Sequence, residues 1–192
     1  MKKIMTLVVG LLLTGSTFAQ KAVAPALYPA LKDVMGKYFL VGAAVNTDLP
    51  AGHDPQAETL VKKQFNQVVA ENCMKGEKNH PEVNRFDFAD GDQLADWAQK
   101  NGKTLIGHCL VWHSQPPKWM FTDANGKTVS RETLIGRMYN HIMTVVTHYK
   151  GKVKGWDVVN EAIEDDGSYR QSPYYKIIGP EYIELAFQFA HE

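Results

Sequence analysis

The side chains that could do chemistry gather at the ends of three apolar runs. In "WDVVNEAIEDDG" (Trp156 to Gly167) such a run ends in Asn160 and Glu161, ahead of an acidic, glycine-containing loop. "GHCLVWHSQPPKW" (Gly107 to Trp119) carries His108, Trp112, His113 and Gln115. "FNQVVAENCMK" (Phe65 to Lys75) ends in Glu71, Asn72 and Lys75. Amides and carboxylates hydrogen-bond hydroxyl groups, and an indole covers the apolar face of a sugar ring. Together on one rim they suit a neutral polyhydroxylated ligand. Hydrolysing a glycosidic bond then requires one carboxylic acid to protonate the leaving oxygen and a second carboxylate as nucleophile or base.

Strand alternation ranks the carboxylates. Positions 157, 159 and 161 share a face, so Asp157 and Glu161 should project together. Asp157 lies deeper and is expected to be a buried, hydrogen-bonded structural group. Glu161, at the mouth, is the better acid, with the apolar context "VVNEAI" expected to raise its pKa. His108 and His113 differ in parity and should face opposite ways while the strand persists, so a metal site shared with His80 is not expected. Packing roles remain open for His108 and Trp112, and "EDD" at 164–166 reads as a solvated loop.

The elements that must hold these groups alternate. Helical patterns cover Pro25–Met35, Ala57–Phe65, Asp92–Asn101, Arg131–Tyr149 and the stretch from Pro180 onward. Apolar strand-like runs cover Tyr38–Val45, Asn66–Met74, Lys103–Trp112 and the segment reaching Glu161. Runs apolar on both faces that alternate with helices imply an α/β fold with a parallel sheet covered by helices. The longer loops, 46–56, 75–90, 113–130 and 162–179, all follow strands, at the end where α/β active sites form. Gly42, Gly107 and Gly155 occur singly, which argues against a nucleotide-binding loop. Four βα units are expected, the last still in helical register at Glu192, as in the N-terminal half of a larger barrel.

Charge and composition narrow the partners. The 192 residues hold 21 basic and 21 acidic side chains, a balance that argues against a nucleic-acid binder. "MKKIMTLVVGLLLTGSTFAQ" has two lysines, a short apolar segment and then small residues, as a cleaved signal peptide does, with cleavage expected after Ala19. Its apolar segment is shorter than the ~20 residues a membrane span needs. The expectation is therefore a leader over 1–19, a barrel segment over 20–192, and a secreted or periplasmic protein without a membrane anchor. Cys73 and Cys109 are the only cysteines. Two do not make a disulfide framework, and their apolar settings suggest buried free thiols.

In order and spacing, the three quoted motifs resemble the family 10 glycoside hydrolases, chiefly endo-β-1,4-xylanases, from about residue 25 to the end of the chain. The resemblance implies a (β/α)8 TIM barrel with retaining chemistry, of which this chain supplies the first four βα units. It makes Glu161 the general acid/base and Asn160 the partner of the 2-hydroxyl of the sugar being cleaved. His108, Trp112 and Gln115 become contacts to the sugars just before the scissile bond. Glu71, Asn72 and Lys75 serve one subsite further out. Many members carry an aromatic residue directly after the lysine; here Gly76 stands there, so that position supplies no stacking ring at the outer subsite. The family's nucleophile, a glutamate on the seventh strand, has no counterpart in this chain. The implied substrate is β-1,4-xylan and its oligosaccharides, without cofactor or metal, acted on by a monomer when the barrel is complete. A β-1,4-glucanase on the same barrel and a non-catalytic xylan-binding half-barrel are the alternatives. The 192 residues alone are expected to be inactive.

Overall fold

A computed structural model describes residues 28–192. The leader and the start of the helix expected at Pro25 lie outside them. Four strands, β1 (Gly42–Val45), β2 (Gln67–Ala70), β3 (Thr104–Val111) and β4 (Gly155–Val159), form one sheet in the order β1-β2-β3-β4. All three neighbouring pairs are parallel. A parallel neighbour needs a crossover, and helices supply it. The helices are α1 (Leu31–Met35), α2 (Pro55–Gln64), α3 (Gly76–Asn79), α4 (Ala89–Lys100), α5 (Arg131–His148), α6 (Pro173–Ile178) and α7 (Tyr182–His191). A 3-10 turn occupies Lys118–Phe121.

The strand order never reverses. A doubly wound sheet changes direction at a switch point, whereas four consecutive βα units in one direction are the pattern of a (β/α)8 barrel. Helices pack on one face, with α4 against β2 and β3, α5 against β3, and α7 against β4. Beneath them Val68, Ala70, Leu105 and Val158 are buried. The alternate positions Gln67, Val69, Ile106 and His108 are only half-buried, and Asp157 is exposed. This second face is the one that lines a barrel's interior. The expectation that Asp157 is buried is therefore corrected: it is hydrogen-bonded but its side chain is 52% exposed, because it lies on the sheet face without helices.

Several element starts are explicable one residue at a time. Asp54 caps α2 by accepting from the Ala57 N–H, and Pro55 follows at a position that needs no donor. Ser130 caps α5, and Ser172 followed by Pro173 does the same for α6. That last signal, with α3 and the 3-10 turn, lies in segments expected to be loops. The first expected strand shortens to its last four residues, leaving Tyr38, Phe39 and Leu40 exposed. Between β3 and β4, Gly107 is registered opposite Trp156. A Cβ on Gly107 would come within 2.2 Å of the indole, so only glycine admits this contact. Among the described residues no helix is long and apolar enough to cross a membrane.

Candidate active site

The polar rim lies where the strands end. Lys75 is 7% exposed, and its ammonium donates to Asn72 Oδ1 at 2.9 Å and to Gln115 Oε1 at 2.7 Å. Gln115 uses its other end too, donating from Nε2 to Glu77 Oε1 at 3.0 Å. With both ends committed, the Gln115 amide cannot flip without losing bonds. The same ammonium lies 4.6 Å from the centroid of the Trp112 ring, within cation–π range.

Trp112 carries the network on to the carboxylate. Its indole N–H donates to Glu161 Oε2 at 2.9 Å, and His113 Nε2 lies 3.8 Å from the same oxygen. Oε2 is thus the oxygen that the protein engages. The Glu161 side chain is 48% exposed, so the apolar enclosure expected from "VVNEAI" is not present around it. Deeper on the sheet, His108 Nδ1 and Asp157 Oδ2 form a 2.9 Å hydrogen bond between paired positions of β3 and β4.

The structure brings Asn72, Lys75, Gln115, Trp112 and Glu161 into one connected set, with His108 beside it, its ring 6.2 Å from that of Trp112. Glu71 and Asn160 stand at the same strand ends through their backbones. Glu71 donates its N–H to Val45 O, and Asn160 donates its N–H to Val111 O, each at 2.9 Å. The expectation that His113 faces away from His108 required the strand to persist, and it does not reach His113. The β3–β4 register shifts between His108 and Val111, and β3 ends at Val111, so period-two alternation stops governing Trp112 and His113. His80 lies elsewhere, fully buried and stacked on Phe86 at 3.7 Å. Glu77 was not singled out from the sequence; its distance from Gln115 along the chain hides the contact.

Thiol chemistry has no place at this rim. Cys73 and Cys109 are free and buried. Burial pushes the Cys73 thiol up to about 11 and that of Cys109 to about 12, so neither is a thiolate near neutrality. What the arrangement can do is hold hydroxyl groups along the Asn72–Lys75–Gln115 line. It can also present one carboxyl oxygen, anchored through its twin, to the atom that follows.

Comparison with known proteins supplies the context. The profile described as glycosyl hydrolase family 10 matches residues 30–192. The chain is 63% identical over 164 residues to endo-1,4-beta-xylanase A of Xylanibacter ruminicola, covering 85% of this chain and 44% of that protein. It is 43% identical to the exoglucanase XynX of Acetivibrio thermocellus, covering 85% of this chain and 16% of that protein. Among solved structures it superposes with TM-score 0.80 and 41% identity on TsXylA, an intracellular xylanase of Thermoanaerobacterium saccharolyticum, in a mutant complex with xylotetraose. That match covers 85% of this chain and 53% of the other. The chain thus spans less than half the length of these curated relatives.

Proposed function

Since the chain belongs to glycosyl hydrolase family 10, we propose that the complete protein is a secreted, retaining endo-1,4-β-xylanase with Glu161 as its general acid/base. The observation that carries this reading is the seating of Glu161 at the strand ends: Oε2 held by the Trp112 N–H at 2.9 Å, with the side chain 48% exposed. Glu161 protonates the glycosidic oxygen as a second carboxylate, outside these 192 residues, attacks the anomeric carbon. Glu161 then takes a proton from water to release the sugar. Retention places the two carboxyl groups about 5–5.5 Å apart. Asn160 binds the 2-hydroxyl of the sugar being cleaved, His108, Trp112 and Gln115 the sugars before the scissile bond, and Glu71, Asn72 and Lys75 the next one out. The xylotetraose complex of the related xylanase supports xylo-oligosaccharides as the ligand class. The leader pattern over residues 1–19 supports export, and the finished barrel acts as a monomer.

Replacing Glu161 by alanine in the complete protein tests the assignment. General acid catalysis is worth roughly 10²- to 10⁴-fold, so hydrolysis of unactivated xylan falls by that order. A dinitrophenyl glycoside, whose leaving group needs no proton, still forms the glycosyl-enzyme. Undiminished cleavage of xylan by the variant would sink the reading. The exoglucanase relative keeps a glucanase in view. Release of reducing ends from xylan rather than carboxymethylcellulose separates the two. For residues 20–192 alone, xylo-oligosaccharide binding without turnover is expected.

A further inference from the structure

Glu161 is held at two levels, and only one of them is its carboxylate. Its backbone sits at φ 53, in the left-handed region that L residues with side chains seldom adopt. Such a conformation persists only where the surroundings over-determine it. The surroundings here are a small hairpin. Beyond Glu161 the chain turns at Gly167 (φ 85) and returns, with Ile163 and Tyr169 bridged antiparallel. The Glu164 N–H donates to Ser168 O at 2.8 Å. Arg170 arrives directly beside Glu161. Its backbone N–H donates to Ala162 O at 2.8 Å, its side-chain Nε donates to the Glu161 backbone oxygen at 2.8 Å, and its terminal nitrogen meets Glu164 Oε2 at 2.9 Å.

We propose that Arg170 is a positioning residue for the acid/base: by gripping the Glu161 carbonyl it fixes the left-handed backbone that aims the carboxylate at Trp112 and the cleft. This rests on the reading of Glu161 as the acid/base. The guanidinium is suited to the task because its planar fork serves the carbonyl and the Glu164 carboxylate at once, and it stays charged at every working pH. Without it, the 161–162 peptide is free to relax towards an ordinary conformation, which swings the carboxylate out of reach of the Trp112 N–H. Arg170 touches neither the reacting oxygen nor the sugar in this scheme. Its effect should therefore follow the demand for proton transfer, not substrate binding.

The test compares two leaving groups in the complete protein. For Arg170→Ala, kcat/KM on xylohexaose should fall about 100-fold, the scale of a misplaced catalytic group, while kcat/KM on 2,4-dinitrophenyl β-xylobioside falls less than about threefold. Arg170→Lys, which keeps the charge but not the fork, should lie between Arg170→Ala and the unmodified protein, and it carries the same comparison if the alanine variant does not fold. Equal losses on both substrates, as a purely structural role would give, or no loss on xylohexaose, overturns the proposal. Glu161→Ala assayed beside them separates the two failures. If it discriminates between the substrates and the Arg170 variants do not, only the positioning role falls. If it does not discriminate either, the acid/base reading falls first.

Discussion

Trp112 donates its indole N–H to Glu161 Oε2 across 2.9 Å while the face of the same ring meets the Lys75 ammonium at 4.6 Å. One side chain therefore couples the candidate acid to the polar groups that would seat the sugar chain. The two contacts use different parts of the ring and can be separated by substitution.

Trp112→Phe removes the N–H and keeps an aromatic face. A hydrogen bond to a charged group is worth about 1.5–3 kcal/mol, and 1.4 kcal/mol is a factor of ten in rate. In the complete protein the expected result is at least about a tenfold lower kcat on xylan, with KM changed by less than about threefold. Trp112→Ala, which also removes the face, should raise KM as well. Steady-state kinetics on xylan and xylohexaose read both, and a phenylalanine variant with unchanged kcat would refute the coupling.

Lys75 supports the other half of the rim from inside. Its buried ammonium is the common donor to Asn72 and Gln115. Lys75→Met keeps the stem and leaves two carbonyl acceptors without that donor. An unsatisfied acceptor costs about 1–3 kcal/mol, less where water can reach it, as it can at Asn72. Urea unfolding should show a loss of about 2 kcal/mol, and calorimetry a roughly tenfold weaker affinity for xylotetraose. Full affinity with reduced stability would make Lys75 a packing residue only.

How far the sequence led can be traced along β4. Alternation put Asp157 and Val159 on one face without saying which way that face points, and the rule stopped at Val159, where the ladder ends. Asn160 and Glu161 follow loop geometry, and φ 53 at Glu161 carries no sequence signal. Likewise the rule holds to Cys109 on β3, ahead of the register shift, and has no force at His113, beyond the strand's end. The rim was legible because all strands of a parallel sheet finish on one side. Arg170 and Glu77 were not, because their partners Glu161 and Gln115 lie 9 and 38 residues away and only the folded loops bring them close. Helix α3, four residues long, is too short to show a period, and α6 falls in the expected loop 162–179 although Ser172-Pro173 is a helix-start signal.

Gly107 tests the register of β3 against β4 on which the positions of His108 and Asp157 depend. Gly107→Ala drives a methyl group to 2.2 Å from the Trp156 indole, so the ring or the strand must move. Overpacking of this kind costs about 1–3 kcal/mol. A lower urea midpoint together with a shifted Trp156 emission maximum is expected. An alanine variant as stable as the parent would mean that the indole does not lie over the strand.

The last expectation concerns pH. His80 and His141 face each other in the core, Nδ1 to Nδ1 at 3.3 Å, and His80 Nε2 reaches Val83 O at 3.2 Å. Burial pushes His141 down to about 3, with the neighbouring His80 acting in the same direction, and burial lowers His80 as well. Unfolded, both return to about 6.5. The folded state therefore binds fewer protons than the unfolded state once the pH falls below about 6.5. For His141 this stabilisation is complete above that pH and is lost progressively towards pH 3, by up to about 1.4 kcal/mol per pH unit, and the lowered His80 adds a loss of the same sign. Urea midpoints measured from about pH 7.5 to pH 4.5 should fall accordingly. His141→Gln should be less stable at the upper end, having lost the buried pair, yet show a shallower slope, since one of the two sites that protonate on unfolding is gone. Parallel slopes for the two proteins would place the acid sensitivity elsewhere in the molecule.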